Sequence, residues 1–575
     1  MNKALLTLAI VIVGGYCLSA AHAATAAPNA TKTATPVKHL IVIVGENRSF
    51  DNVFATYQPP KGQTVANLLS RGIVNKDGLP GKNFSLAEQK RAVPADEYSV
   101  ELAIAGSYHM LPAPGANGTR GQAMPTRDSA SPPKLANELP NGPFQISRHF
   151  PPGARAGSPV HRFFQMWQQY HAGKNDLMVW VADTEGTVSD KAPGTKPSRQ
   201  GIVGMGFYNM AEGDAPYFRE LAEHYALADN YHQPVMGGTG ANFIAIASGD
   251  VGSYNRDGKA ATPPENQIEN PDPAPGTPNA YVQDGYSGGS YVNCSDLAQP
   301  GAASIRRYLS GLPYRAFNDG NCAPGVFYLV NNYEPGYRAN GDRSPLGPEH
   351  YILPPQSMPT IAERLSQNGV SWKWYAGDRG NGKRGGKGYC TICDPFTFFQ
   401  GVMESGLKRN LVDFGQFYGD IAAGSLPAVS FITPSDGVSG HPGYSTLTRF
   451  SDFVEGIVNH IQKNHALWKD TAIIITFDEG GGYYDSGYVQ TIDFFGDGPR
   501  VPMILVSPHA RPGWVDHTYY DHASILKFIE KNWRLQPLSA RSRVALPNPV
   551  HGMQDPYVPQ NRPAIGDLTN MLKEQ

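Results

Sequence analysis

The chain has very little net charge. Its 48 lysines and arginines face 50 aspartates and glutamates over 575 residues. Removing Lys3, which sits in a leader segment, takes the 48 basic residues to 47 against 50 acidic ones, a net charge near −3. That balance gives no electrostatic footprint for nucleic acid or an anionic membrane surface as the main partner. Long apolar runs are missing too: beyond the first residues, no stretch is long enough to span a bilayer. No twin-arginine pair precedes the leader, so the general secretory route is expected rather than export of the folded chain. Internal repeats are absent. Cysteine is scarce, at 5 residues. A single pair has C-x-x-C spacing, so a zinc ribbon built from two such pairs is excluded.

What is present begins with the leader. Lys3 supplies a positive n-region, Ala4 to Val13 is apolar, and Ala21-His-Ala23 fits a small-x-small cleavage site. Residues 1–23 therefore read as a secretory signal peptide, which predicts a periplasmic or secreted protein. Cys17 lies inside it, and Gly14-Gly-Tyr-Cys17 is a poor lipobox. The other cysteines are Cys294, Cys322, Cys390 and Cys393. An even number in an exported chain favours disulfides, with Cys294–Cys322 and Cys390–Cys393 the preferred pairing. Cys390-Thr-Ile-Cys393 shares the spacing of redox and metal motifs; a small structural disulfide is the plainer expectation.

The 63 glycines and 49 prolines indicate a loop-rich chain. Residues 24–36 are rich in Ala, Thr and Pro and read as a flexible lead-in. Residues 37–540 form the main unit, and 541–575 a C-terminal extension. Within the main unit, 58–145 and 250–325 are aperiodic and read as insertions. Buried-strand patterns are expected at 38–44, 226–228, 370–375, 428–432, 472–477 and 501–506. Helical patterns are expected at 163–170, 217–224, 239–248, 357–366, 450–464 and 523–533. Strands alternating with helices predict an α/β sandwich around a mostly parallel sheet.

Two of these strands end in chemistry. Val37-Lys-His-Leu-Ile-Val-Ile-Val-Gly-Glu-Asn-Arg-Ser-Phe-Asp51 and Thr471-Ala-Ile-Ile-Ile-Thr-Phe-Asp-Glu-Gly-Gly-Gly-Tyr-Tyr-Asp485 both pass from aliphatic to acidic and amide residues. Open α/β sheets place their sites at the carboxyl edge. Glu46, Asn47, Asp478 and Glu479 are therefore candidate ligands of a divalent cation, with Mg, Mn, Ca, Fe and Zn all admitted by such a donor set. The alternative is a helix start at one strand end and a glycine-rich turn at the other. In Pro234-Val-Met-Gly-Gly-Thr-Gly-Ala-Asn242, Thr239 opens a helix after two glycines. It is either an ordinary N-cap or a nucleophile beside an anion held at the helix N-terminus. His441 in Ser439-Gly-His-Pro-Gly443, His350 in Pro348-Glu-His-Tyr351 and His161 in Pro159-Val-His161 are candidate acid/base or phosphate-facing histidines. His509, His517 and His522 read as fold residues.

Taken together, His39 to Asp51, Tyr225-Ala-Leu-Ala-Asp-Asn-Tyr231, Gly238-Thr-Gly-Ala-Asn242, Gly440-His-Pro442, Thr476-Phe-Asp-Glu479 and Phe495-Gly-Asp-Gly-Pro-Arg-Val-Pro502 resemble the bacterial phosphoesterase family of secreted acid phosphatases and non-haemolytic phospholipases C. The resemblance spans most of residues 37–535. It implies a fold like that of alkaline phosphatases and sulfatases. It also implies a metal on Glu46, Asn47, Thr239, Asp478 and Glu479, and a phosphothreonine intermediate at Thr239. His441, His350, His161 and Asn242 carry over as catalytic positions. The chain departs from the family pattern at Tyr484-Asp485-Ser486, where relatives often have Asp-His. Thr rather than Ser at the nucleophile is nearer the phospholipase pattern. Family phospholipases, however, usually carry C-terminal β domains, and only about 40 residues follow Trp533, too few to hold them. No Cys-x-Pro-x-Arg segment is present for a formylglycine sulfatase. The expectation is an acid phosphatase acting on small-molecule phosphate monoesters. The alternative is a phospholipase C, the one case that requires membrane contact.

Overall fold

Leu40 to Val44 are apolar at every position and all fully buried, so the strand His39–Gly45 (β1) lies in a sheet covered on both faces. The computed structural model describes residues 32–112, 139–149, 152–184, 201–279, 288–380, 385–552 and 555–574. The expected leader and most of the lead-in lie outside the described residues, as do parts of both expected insertions.

The other strands of the main sheet are β2 (Ala226–Ala228), β3 (Trp372–Ala376), β4 (Leu411–Asp413), β5 (Val429–Thr433), β6 (Thr471–Phe477), β7 (Met503–Val506) and β8 (Val515–Asp516). Their spatial order is β4-β3-β5-β1-β6-β7-β2-β8. β7 runs antiparallel to both of its neighbours; every other pairing is parallel. β1 and β6 are neighbours at the centre, in register from His39↔Thr471 to Gly45↔Phe477. The turns carrying Glu46 and Asn47, and Asp478 and Glu479, thus leave the same sheet edge side by side.

Helices cover both faces. The helices include α1 (Phe50–Phe54), α2 (Phe163–Tyr170), which packs in a separate cluster, α3 (Pro216–His224), α4 (Thr239–Ser248), α5 (Leu447–Lys463) and α6 (Ala523–Trp533). On one face Phe477 of β6 packs on Phe450 of α5, ring centroids 5.0 Å apart, and on Phe218 of α3 at 6.3 Å. Gly45 is required here, since a Cβ would sit 2.6 Å from the Phe450 ring. On the other face Trp374 of β3 stacks on Phe431 of β5 and meets Phe243 of α4. This is the sandwich the alternation of elements predicts. Among the described residues no helix is long and apolar enough to cross a membrane.

α2, α4 and α6 occupy their expected ranges. The helix expected from Ser357 starts instead at Ile361. Pro359 biases Met358 away from helical backbone, and Thr360 with Glu363 forms a capping box that fixes the start. Residues 541–575, expected as a C-terminal extension, pack against the main unit. Arg543 is buried against Asp493, Asp497 and Asp521, and Ile565, Leu568 and Met571 enter the core. Both expected disulfides form, Cys294–Cys322 and Cys390–Cys393, with Cα atoms 5.5 and 5.2 Å apart.

Candidate active site

Past β1 and β6 the backbone turns sharply. Asn47 takes a left-handed φ of 61°, tolerable for an Asn side chain. Its N–H donates to Asp478 Oδ1 at 2.9 Å, and the Glu479 N–H donates to the same oxygen at 2.8 Å. The Asn47 Nδ2 amide faces His161 Nε2 at 3.3 Å. These bonds leave Asn47 Oδ1, Asp478 Oδ2 and Glu479 Oε2 buried with no hydrogen-bond partner. Leaving such an acceptor unpaired costs about 1–3 kcal/mol, more when it is charged. All three orphans are oxygen acceptors on two adjacent turns, the donor chemistry of a hard divalent cation. Glu46 adds a fourth oxygen-bearing side chain, its Oε2 accepting from Tyr444 Oη at 3.1 Å.

Electrostatics agree. Burial, then Asp478 and Asp436, pushes Glu46 well above the ordinary carboxyl range. Burial, then Asp478, does the same to Glu479. Burial raises Asp478 to about 7. Three carboxyls that resist ionising together are what a cluster built around a cation looks like without its charge.

Thr239 opens α4, and its hydroxyl donates to Glu479 Oε1 at 3.4 Å. The approach to it is tight. A Cβ on Gly237 would lie 1.8 Å from the Val330 carbonyl oxygen, and one on Gly238 would lie 2.6 Å from the Asn332 amide. Asn332 Oδ1 accepts from the Gly240 N–H at 2.7 Å.

Two histidines join this group. His161 Nδ1 donates to the Pro159 carbonyl at 2.6 Å, which leaves Nε2 as the acceptor that meets Asn47 and lies 3.6 Å from Glu479 Oε1. Burial lowers its pKa to about 4, so the ring is neutral. His441 is buried and stacks on Tyr444 with centroids 4.1 Å apart. Its Nδ1 accepts from the Gly443 N–H at 3.1 Å, so the neutral ring carries its proton on Nε2. Burial, then the neighbouring His161, holds its pKa well below normal.

The structure therefore brings together Glu46, Asn47, His161, Thr239, His441, Asp478 and Glu479. It does not bring in His350, which is exposed beside a surface groove with Glu334, Tyr337 and Tyr389. The loop is held through its backbone, the Gln267 amide donating to the Gly347 and His350 carbonyls, which leaves the His350 ring exposed. Asn242 lies three residues beyond Thr239 in α4. Its amide is spent on the preceding turn, accepting from Val235 N–H and donating to the Val235, Gly237 and Gly238 carbonyls. These bonds tie Asn242 to the turn that leads into Thr239. Sequence reasoning missed Tyr444, Asn332 and His522. His522, expected as a fold residue, donates from Nε2 to the Asp478 carbonyl at 2.6 Å and accepts from Tyr231 Oη at 2.9 Å. The one signal for Tyr444 was its place three residues after His441.

A family model described as the Phosphoesterase family matches residues 37–536. The non-hemolytic phospholipase C of Pseudomonas aeruginosa is 21% identical over 466 residues, covering 73% of this chain and 53% of that protein. The phosphate-repressible acid phosphatase of Penicillium chrysogenum is 28% identical over 231 residues, covering 38% of this chain and 53% of that protein. The acid phosphatase of Aspergillus niger is 29% identical over 229 residues, with 36% and 52% covered. The chain spans about half the length of these relatives. Among solved structures, a protein in the alkaline phosphatase superfamily from Vibrio parahaemolyticus matches with a TM-score of 0.25 at 10% identity, covering 55% of this chain and 59% of that one.

Proposed function

This chain belongs to the Phosphoesterase family, and on that footing we propose that it is an exported, divalent-metal-dependent acid phosphatase hydrolysing small phosphate monoesters. One observation carries the reading: Asn47 Oδ1, Asp478 Oδ2 and Glu479 Oε2 are buried, unpaired acceptors grouped beside the Thr239 hydroxyl. Glu46, Asn47, Asp478, Glu479 and Thr239 would hold the cation. When bound, it supplies Lewis-acid polarisation of phosphoryl oxygens and lowers the hydroxyl pKa.

The residues themselves supply the rest. Thr239 Oγ attacks phosphorus; its O–P bond forms as the bond to the leaving alcohol breaks, and its proton passes to Glu479 Oε1. His441 offers an Nε2–H to the leaving or a nonbridging oxygen. His161 fixes the Asn47 amide so that Oδ1, not Nδ2, is the free group. Water then displaces Thr239 from phosphorus and releases inorganic phosphate. The leader-like residues 1–23 and the two disulfides support an oxidising, exported location.

A second reading, phospholipase C, is favoured by the extent of the Pseudomonas match, 73% of this chain against 38% for the Penicillium phosphatase. The test is turnover of p-nitrophenyl phosphate against p-nitrophenylphosphorylcholine by purified protein, with Thr239→Ala alongside. A ratio well above one that vanishes in the variant is expected. A ratio well below one moves the reading to phospholipase C, and no turnover of either by metal-replete protein would sink both.

A further inference from the structure

The turn around Thr391–Cys393 lies against the catalytic cluster. The Ile392 Cβ is 3.6 Å from the Cβ position of Gly240, the residue after the nucleophile. A carboxylate oxygen of Glu46 and the Sγ atoms of Cys390 and Cys393 all lie within 4.8 Å of one another. Cys393 is buried, whereas Cys390 is partly exposed. Tyr389 and Thr391, on either side of Cys390, line a solvent-open groove of about 580 Å³. The disulfide is therefore both reachable from outside and in reach of a catalytic carboxylate.

Closed, the pair offers a cation nothing. Opened, it becomes a C-x-x-C dithiol, the bite that holds zinc in ribbons and fingers. Ligand atoms around a tetrahedral zinc lie roughly 3.5–3.8 Å apart, given Zn–S bonds of about 2.3 Å. The two Sγ atoms, bonded to each other while the disulfide is closed, must move apart once it opens, whereas the Glu46 oxygen, within 4.8 Å of both, has at most little more than an ångström to close. We propose that Cys390, Cys393 and Glu46 form a second, thiol-gated cation site, which takes a thiophilic divalent cation when the disulfide is reduced and withdraws Glu46 from the catalytic set. In the opening step a dithiol reductant gives two electrons and two protons to the S–S bond and leaves as its own disulfide. Cation binding then expels the two thiol protons. Three protein ligands leave a position for water. Only the loss of catalytic activity rests on the phosphatase reading; formation of the site does not.

The test is Co²⁺ titration of the purified full chain, oxidised and after phosphine reduction, read by absorbance. Reduced protein is expected to bind about one more equivalent than oxidised protein, with a thiolate-to-cobalt charge-transfer band. The band should survive in Cys294→Ser/Cys322→Ser and vanish in Cys390→Ser/Cys393→Ser. No extra equivalent, or a band that persists in the second variant, overturns the site. Should that variant not fold, differential alkylation of reduced wild type decides: Co²⁺ must protect Cys390 and Cys393, and equal labelling with and without Co²⁺ overturns it. With Zn²⁺, turnover of p-nitrophenyl phosphate by reduced protein should fall about tenfold and recover on reoxidation. Unchanged turnover overturns the link to Glu46, whereas a protein inactive in every state counts against the phosphatase reading and leaves the cobalt band as the arbiter.

Discussion

Buried carboxylates in this molecule are treated in opposite ways in different places. Around Arg500, Asp485 receives Nε at 2.8 Å and Nη2 at 3.0 Å, and Asp51 receives Nη2 at 3.3 Å, while Nη1 is spent on the Ala66 and Asp229 carbonyls. Arg543 likewise binds Asp493, Asp497 and Asp521. Around Glu46, Asp478 and Glu479, among the described residues, no guanidinium or ammonium group ion-pairs with the carboxylates. Arg48 is close, yet its side chain donates to the Gly440 carbonyl and Asn52 instead. The same residue type is thus paired where the fold supplies its cation, and left with unpaired oxygens where it does not. A buried acidic residue by itself says neither; its partner list does.

The largest expected effect comes from the unpartnered group. Asp478→Asn should lower kcat/KM about 10³-fold through lost cation binding, a cost of several kcal/mol. The same change should leave the metal-free protein at least as stable as wild type, since it removes charge repulsion. A chelator-treated sample that melts well below wild type would break the comparison. Next, Arg500→Met leaves Asp485 and Asp51 buried without their counterion and should cost about 3–5 kcal/mol in urea unfolding.

A pH series sharpens the contrast. Burial raises Asp478 to about 7 in the folded chain, from an ordinary 3.8. Between those values the folded state holds a proton that the unfolded state has lost. The contribution of Asp478 to the stability of the metal-free protein is therefore fullest at low pH and is lost as pH rises towards 7. Glu46 and Glu479 shift the same way. Added divalent cation should cancel this loss, so the gap in melting temperature with and without chelator should widen from pH 5 to pH 8. A constant gap would mean that these carboxylates do not hold the cation. Smallest of all, Arg315→Ala removes an ion pair to Asp319 that is 2.6 Å long but 82% and 68% exposed at its two ends. It should change stability by no more than about 0.5 kcal/mol, despite a shorter contact than any between Arg500 and Asp485.

Most of the framework was legible because it repeats a local rule. Continuous aliphatic runs such as Leu40 to Val44 and Ala472 to Phe477 have one stable home, a doubly covered sheet. Strand direction was not legible. Met503–Val506 reads like the parallel strands of the sheet, yet it runs antiparallel to both of its neighbours. In the site, Glu46, Asn47, Asp478 and Glu479 could be read because polarity switches abruptly at a strand end. His350 could not be separated from His161 and His441 by sequence, since all three sit in Pro-containing loops and only tertiary packing buries two of them. Asn242 entered as a catalytic position through the resemblance of Gly238-Thr-Gly-Ala-Asn242; in the structure its amide is bound to the preceding turn. His522 was invisible as a neighbour of Asp478, because their contact runs through a backbone carbonyl.

The register between β1 and β6, from His39↔Thr471 to Gly45↔Phe477, has a kinetic consequence. Both strands are central, and Leu40 to Val44 are wholly buried. Amide protons there can exchange with solvent only through opening of the whole domain, so they report its slowest clock. Glu46 and Asp478 follow those strands directly, so the spacing of the acidic cluster persists for as long as the fold does. Surface loops can fluctuate on far shorter timescales without ever pulling the two turns apart.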